Sequence, residues 1–361
     1  MTNAERLQQA LWGDGADFEA DGALLTSAPN CRYVSGFPSS SRLVLVTREQ
    51  VYFLTDFRYA EAARKKIQDC KVVMYKKAQT AITEILRRHE IKTLLFEYDN
   101  LTYGESEKYR KLCQETGVTP VFDRTLDTIL QDLRAVKQPE EIQKIKASQA
   151  ITDAAFQHIL PYIKAGVTER EIALEIEFFM KKNGAENIAF DLIVVSGENG
   201  SQCHGVPGEK TIQPGDFITM DTGAVLDGYH SDMTRTVALH HVSPEQQHVY
   251  DTVLKAQKAA VEAVRPGIPC RQVDWVARSI IDEQYSGAFG HSTGHSVGLE
   301  IHETPCFAPS CETLTKPGMV ITVEPGIYLE GKFGVRIEDM VLVTETGHEN
   351  LTQSPKDLII L

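Results

Sequence analysis

The sequence of 361 residues predicts an α+β protein in two parts, and three observations lead there. At roughly 100–200 residues per domain, the length suggests about two domains. Residues 1–130 alternate short apolar runs with helical stretches. The rest of the chain runs helix, helix, strand, strand, and then takes that order again.

In the first part, Arg42–Val46 and Val51–Leu54 read as paired strands, and Lys71–Tyr75 and Thr93–Phe96 as further ones. Thr80–His89 and Gly104–Gly117 read as helices. This is an α/β pattern, a sheet covered by helices. It holds no catalytic constellation. Cys70 and Cys113 read as surface thiols without a function. The boundary is expected within Asp123–Pro139, dividing the chain into domains 1–130 and 131–361.

From Pro139 the apolar positions Ile142, Ile145, Ile151, Ala155 and Ile159 recur at helical spacing, ending near Gly166. Thr168 and Glu171 form a capping-box pattern that opens a second helix, running to Asn183–Gly184. Strand-like runs follow at Phe217–Val225 and Tyr229–Leu239. Ser243, Pro244 and Gln246 then make another strong helix start, stopped by Pro266–Gly267. A helix over Arg271–Gln284 comes next, and strands return at Val320–Val323 and Val335–Val343. The order is duplicated, although no sequence repeat establishes a duplication.

Composition narrows the function. Hydrophobic residues make up 42% and charged residues 24%, enough for a large core without disulfide or metal staples. With 37 basic and 50 acidic residues the formal charge is −13, and no basic run occurs, so a nucleic-acid partner is not expected. Seven cysteines with no C-x-x-C pair fit free thiols in a reducing compartment. The polar, acidic stretch Met1–Leu25 does not read as a signal peptide, and no run reaches the roughly 20 apolar residues of a membrane helix. A cytoplasmic protein is expected.

The chemistry concentrates in four segments. Met220-Asp221-Thr222-Gly223 leads to Tyr229-His230-Ser231-Asp232 through the hairpin signal Asp227-Gly228. A two-residue loop there sets Asp221 across from Asp232 or one diagonal step away, on one face in either register. Two such carboxylates repel unless one is protonated or a cation lies between them. A solvated hairpin face or a salt bridge to Arg235 is the plainer alternative. Gly294-His295 and Ile301-His302-Glu303 offer imidazoles, good ligands for first-row metals. Glu324 ends an apolar strand before Pro325-Gly326. Arg336 and Glu338 share a face by strand alternation, and a local ion pair of Arg336 is the alternative to a site role. Taken together, two Asp, one His and two Glu suit two divalent ions such as Mn, Co, Zn or Fe. The absence of sulfur ligands argues against a structural zinc site.

A competing pattern is Gly294-x-Ser296-x-Gly298, a serine-hydrolase elbow with Asp339 and His348 following in order. The elbow needs a strand before the serine and a helix after it. Ser286–Ser292 is no strand, and Pro305 interrupts any helix, so this reading is set aside.

These segments resemble the Xaa-Pro peptidase family, which includes prolidase and aminopeptidase P, over nearly the whole chain. Asp221, Asp232, His295, Glu324 and Glu338 each match a family metal ligand in its own motif. His204, in Cys203-His204-Gly205, and His302 match the family's two further active-site histidines, and Arg336 matches the arginine beside the last ligand. Asn30–Phe37 and Thr55–Tyr59 fit recurring segments of the family's N-terminal domain. The resemblance implies a C-terminal pita-bread catalytic domain behind a smaller N-terminal α/β domain. It also implies two divalent ions, manganese first, a proline-containing peptide as substrate, and a homodimer. Glu324 is then both ligand and general base, His204 and His302 bind the substrate, and Arg336 orients Glu338 or relays protons.

One departure bears on specificity. Many dipeptide-specific members carry an arginine shortly after the His-Glu pair, where it can bind a dipeptide's free carboxylate. Here Cys306 follows His302-Glu303-Thr304-Pro305. That favours an Xaa-Pro aminopeptidase acting on longer peptides over a strict Xaa-Pro dipeptidase, unless an arginine such as Arg32 or Arg58 of the partner subunit substitutes. Methionine aminopeptidase fits the extra N-terminal domain poorly. The intact ligand set argues against creatinase-like members and against a non-catalytic peptide-binding protein.

Overall fold

The computed structural model describes residues 1–16 and 19–361. The chain divides into two compact units, Met1–Arg134 and Ala135–Leu361.

The first unit runs α1 (Asn3–Trp12), β1 (Gly22–Leu25), α2 (Ala28–Ser35), β2 (Leu43–Thr47), β3 (Val51–Thr55), α3 (Phe57–Lys66), β4 (Lys71–Met74), α4 (Ala78–Arg88), β5 (Thr93–Phe96), α5 (Tyr103–Thr116), β6 (Thr119–Val121) and α6 (Thr125–Ala135). Its six strands form one mixed sheet in the order β4-β3-β2-β1-β5-β6. Leu24, Leu45, Leu54 and Phe96 of the sheet pack against Ile82, Ile85 and Leu86 of α4 and Leu112 of α5. Each such side chain contributes about 1.5–3 kcal/mol by leaving water. The four expected strands and two expected helices are present to within a residue or two. The sequence reading missed β1, β6, α1, α2, α3 and α6. Cys70 and Cys113 are buried, not at the surface: Cys113 packs in the core of this unit, and the Cys70 thiol faces the Val34 carbonyl.

The second unit has two halves of like construction. The first holds α7 (Pro139–Ile159), α8 (Glu169–Lys182), β7 (Asn187–Ile188), β8 (Ile193–Ser196), β9 (Phe217–Thr222), β10 (Ala224–Leu226), β11 (Tyr229–His230) and β12 (Met233–Ala238). The Thr168–Glu171 capping box forms as expected at the start of α8. The helices pack on the antiparallel sheet β12-β9-β8 through Ile159, Ile172, Ile176, Met180, Ile218 and Val237. The second half holds α9 (Pro244–Ala263), α10 (Cys270–Tyr285), β13 (Gly294–Ser296), β14 (Glu303–Phe307), β15 (Val320–Val323), β16 (Gly326–Leu329), β17 (Phe333–Arg336), β18 (Asp339–Val343) and β19 (His348–Asn350). The Ser243–Gln246 box caps α9. Both helices cover the sheet β14-β13-β15-β18-β19, with Val253, Val273, Ile281, Ile321, Val323 and Val341 in the core. Each half therefore has its own main core, although Phe217 and Ala238 of the first pack into that of the second, and the expected helix, helix, strand order does recur in the architecture.

Three long strand runs turn out to be broken. Phe217–Val225 divides at Gly223 and Tyr229–Leu239 divides at Ser231-Asp232, so that β10 and β11 leave the main sheet and form a small sheet of their own with β7, in the order β11-β10-β7. Val335–Val343 divides at Ile337-Glu338. All three breaks lie at the site described next.

Candidate active site

Asp221 is the fifth residue of β9 and pairs with Thr234 of β12. The hairpin beyond it turns on Asp227 and Gly228, both with positive φ, as a two-residue loop of the primed type requires. The same register continues through the break, so Asp232 lies diagonal to Asp221, one of the two arrangements expected from sequence. Gly223 allows this, since a Cβ there would lie 2.1 Å from the Ser231 carbonyl oxygen. Arg235 does not pair with either aspartate. Its guanidinium goes to Asp339.

The second half supplies the remaining groups. His295 sits in the middle of β13, which approaches β15 closely because Gly294 has no side chain. A Cβ there would lie 1.8 Å from the Thr322 carbonyl oxygen. Glu324 leaves the end of β15, with its N–H donating to Thr293 O at 2.7 Å. Glu338 lies in the break between β17 and β18, and its Oε2 accepts from Thr234 Oγ1 at 2.7 Å. Arg336, the last residue of β17, is buried. It donates to Asp221 Oδ2 at 2.7 Å, Thr234 Oγ1 at 3.0 Å, Tyr328 OH at 2.8 Å and the Cys203 carbonyl. The local ion pair considered for Arg336 is thus real, and its partner is a site carboxylate.

All eight residues singled out from sequence line one cavity of about 620 Å³. Ligand-capable atoms of Asp232, His295 and Glu338 lie within 4.8 Å of one another. His295 Nε2 is 3.5 Å from both Asp232 Oδ2 and Glu324 Oε1. Its Nδ1 faces the Ser296 carbonyl at 3.2 Å, which assigns the proton to Nδ1 and turns the Nε2 lone pair toward the carboxylates. Burial, with His302 beside it, lowers the His295 pKa to about 4, so the ring is neutral. The two rings meet edge-on, centroids 4.3 Å apart.

The carboxylates are crowded. Burial, reinforced by Glu338 and Asp221, pushes Asp232 well above the usual carboxylate range. Burial, with Glu324 next, does the same to Glu338. Burial also pushes Glu324 up to about 8, with Asp221 adding to the rise. Asp221 Oδ1 is buried and accepts no hydrogen bond among the described residues, an unusual expense for a carboxylate oxygen. Converging acids, a neutral imidazole with a free lone pair and an orphaned carboxylate oxygen are what divalent cations need. The donor set therefore fits metal.

Two further residues belong to the site and were missed in sequence. His291 lines the cavity, and its Nδ1 faces the Ser292 carbonyl at 2.8 Å, leaving Nε2 to accept from Tyr328 OH at 2.9 Å. Burial, then Arg336, lowers the His291 pKa to about 4. The hydroxyl of Tyr328 thus links His291 to Arg336 and through it to Asp221. The only signal for His291 was a third histidine just before His295, in a stretch that lacks strand or helix periodicity. Tyr328 gave none.

Two buried glutamates steady the histidine-bearing loops. Glu169 accepts from Ser196 N and Asn199 Nδ2 with one oxygen and from Gly208 N with the other, spanning the loop that carries His204. Glu303 accepts from Leu299 N and Lys137 Nζ, fixing the turn that presents His302.

The serine-hydrolase pattern is not assembled. Ser296 lies within β13 with its hydroxyl buried and unpaired among the described residues, Asp339 is held by Arg235 and Lys356, and His348 faces the Val264 carbonyl.

Fold and site together define a metal-dependent hydrolase with an acid-rich centre between two like halves. Comparison with known proteins gives the family. Residues 143–345 match metallopeptidase family M24 and residues 4–136 match the creatinase/prolidase N-terminal domain. The chain belongs to family M24 and has its pita-bread catalytic domain. It is 39% identical over 342 residues to the Xaa-Pro dipeptidase of Pyrococcus furiosus, covering 94% of this chain and 95% of the relative. Its structure is similar to that of an Xaa-Pro dipeptidase from Bacillus anthracis, with a TM-score of 0.92, 40% identity and 99% of both chains covered. It is also similar to an X-Pro aminopeptidase from Thermotoga maritima, with a TM-score of 0.89, 33% identity and 99% of both chains covered.

Proposed function

We propose that this metallopeptidase releases the N-terminal residue from peptides with proline in second position, and that it prefers peptides longer than two residues. The observation that carries the length preference is the cation inventory of the cavity. Among the described lining residues Arg336 is the only arginine or lysine, and its fork is committed to Asp221, Tyr328 and Thr234. Cys306 stands on the wall instead. A dipeptide carboxylate entering this cavity would leave water without gaining a cation, a costly exchange. The rival reading, an Xaa-Pro dipeptidase, is favoured by the names of the relatives from Pyrococcus furiosus and Bacillus anthracis.

In this reading Asp221, Asp232, His295, Glu324 and Glu338 hold two divalent ions, manganese first, with cobalt, zinc or iron as alternatives. Such ions supply a water of lowered pKa and an electrostatic clamp for developing negative charge. The chain's own groups do the rest. Glu324 takes the proton of the attacking water. His204 and His302 hydrogen-bond the substrate carbonyl region. The proline nitrogen carries no hydrogen and must be protonated to leave, so Glu324 passes its proton on. Arg336 keeps Asp221 aimed into the centre. A homodimer in the cytoplasm, with a peptide and not a nucleic acid as partner, completes the proposal.

The test is a paired assay on manganese-reconstituted protein, following release of the first residue from an Xaa-Pro dipeptide and an Xaa-Pro-Xaa tripeptide. Preference for the tripeptide is expected. Preference for the dipeptide would transfer the assignment to dipeptidase, and cleavage of neither with metal bound would sink the Xaa-Pro reading.

A further inference from the structure

A row of three thiols lies beside the cavity and carries none of the catalytic steps above. Cys306 of β14 lines the cavity and stands opposite His295 in the β13–β14 register. After it the chain folds back through two successive turns. Ala308 N donates to Cys306 O and Cys311 N donates to Ala308 O, each at 3.1 Å. The start of α10 docks against the same turn, with Arg271 N donating to Cys311 O and Cys270 N to Thr313 O, both at 2.9 Å. The Cys311 side chain is thereby brought near those of both Cys306 and Cys270, and its neighbourhood adds to the rise of both thiols. Cys306 and Cys311 are partly exposed, whereas Cys270 is fully buried.

We propose that Cys306 and Cys311 form a reversible dithiol switch, and that closing it to a disulfide suppresses turnover. The oxidant is a small-molecule disulfide of the glutathione type. The Cys311 thiolate attacks one sulfur of that disulfide, forming a mixed disulfide and expelling one small thiolate, which takes up the proton Cys311 gave. Cys306 then attacks the Cys311 sulfur and expels the second small thiolate, which takes up the Cys306 proton. Two protein thiols lose two electrons and two protons, and one small disulfide becomes two thiols.

The surroundings select this pair. Burial, with Cys311 beside it, pushes the Cys306 thiol up, and burial pushes Cys270 up as well. Cys306 has an open side on the cavity, whereas Cys270 is sealed in the core, so a small disulfide reaches only the outer two. The turn that folds Cys311 back toward Cys306 makes the second step intramolecular, which offsets the lower thiolate fraction of Cys306. Closure draws the Cys306 sulfur off the cavity wall and pulls on the strand that has His302 at its other end. Displacements of that kind cost turnover steeply.

The covalent change does not depend on the substrate assignment, while the loss of turnover rests on it, so the two are read separately. Manganese-loaded protein is incubated with glutathione disulfide and then analysed by tryptic mass mapping and by tripeptide turnover. Both cysteines fall between Arg278 and Lys332, where the only basic residue is Lys316, protected by Pro317. The expected product is one such peptide lighter by two hydrogens, with turnover reduced about tenfold or more and restored by dithiothreitol. C311S should keep its basal turnover and resist inactivation. A cross-link to Cys270, no cross-link, a cross-link without loss of turnover, or C311S inactivated as readily as wild type would each overturn the switch. Protein that cleaves no Xaa-Pro peptide before oxidation would count against the substrate assignment, and the mass map would still decide the dithiol.

Discussion

The two halves of the catalytic unit solve the same problem with different chemistry. In each half a buried glutamate ties down a loop that presents a histidine to the cavity. Neutral donors hold Glu169 of the first half, namely Ser196, Asn199 and Gly208. Glu303 of the second half adds a cation, with Lys137 Nζ at 3.1 Å and both side chains nearly sealed from water. Each half also orients a cavity acid of the other. Arg336 of the second half holds Asp221 of the first, and Thr234 of the first holds Glu338 of the second. The lesson is that each half has its own main core, with Phe217 and Ala238 of the first reaching into that of the second, but the site exists only where they meet.

The largest effect should come from removing one ligand from each half. Asp232→Asn and Glu338→Gln are each expected to lower kcat/KM by on the order of 10³-fold, several kcal/mol of transition-state stabilisation. Metal content, measured by elemental analysis, should fall in both. If one variant kept its full metal content and rate, that half would be scaffold only.

The clamps come next. Lys137→Met removes one partner of a buried ion pair with Glu303 and should cost about 3–5 kcal/mol in a urea titration. Glu169→Gln keeps shape and loses only charge-assisted hydrogen bonds, so about 1–3 kcal/mol is expected. Equal losses would erase the difference between the halves. Lys137→Met combined with Glu303→Gln should recover much of the stability lost by Lys137→Met alone.

Arg336→Lys tests the cross-half contact. Lysine has one compact charge and cannot reproduce a fork that reaches Asp221, Thr234 and Tyr328 together. A loss of about 10–100-fold in activity or metal affinity is expected, as for other groups that orient ligands. Unchanged metal affinity and rate would mean that Asp221 orients itself.

Much of this was legible in the sequence because the proposed ligands announce themselves by chemistry. Asp221, Asp232, His295, Glu324 and Glu338 are acids and an imidazole at apolar strand ends or glycine bends, and all of them reach the cavity. Long amphipathic helices with capping boxes, α8 and α9, were equally plain. The strands β7, β13 and β17 span only two to four residues, too few for alternation to register. The breaks at Gly223, Ser231-Asp232 and Ile337-Glu338 were read as continuous strand because the apolar pattern runs through them. What interrupts pairing there is tertiary, as where Gly223 closes on the Ser231 carbonyl and Glu338 N donates to Thr234 O of the other half. His291 and Tyr328 were invisible for the same reason. Their role lies in a hydrogen-bond chain whose members are distant in sequence.

The last test is a pH slope, and its sign separates the metal-free site from the loaded one. Burial lifts Glu324 from its usual 4.5 to about 8. Between those values the folded, metal-free protein keeps a proton that the unfolded chain has released. Its stability should therefore fall as pH rises across that window, by at most about 1.4 kcal/mol per pH unit for each such group. Asp232 and Glu338, raised in the same direction, act with the same sign. A divalent ion takes the place of those protons, so metal-loaded protein should lose less stability, or gain, as pH rises. Urea titrations of chelator-treated and manganese-loaded protein at a series of pH values measure both slopes. Glu324→Gln should flatten the metal-free slope. Metal-free stability that climbs through the window would show that the acids of the two halves are not crowded as the geometry requires.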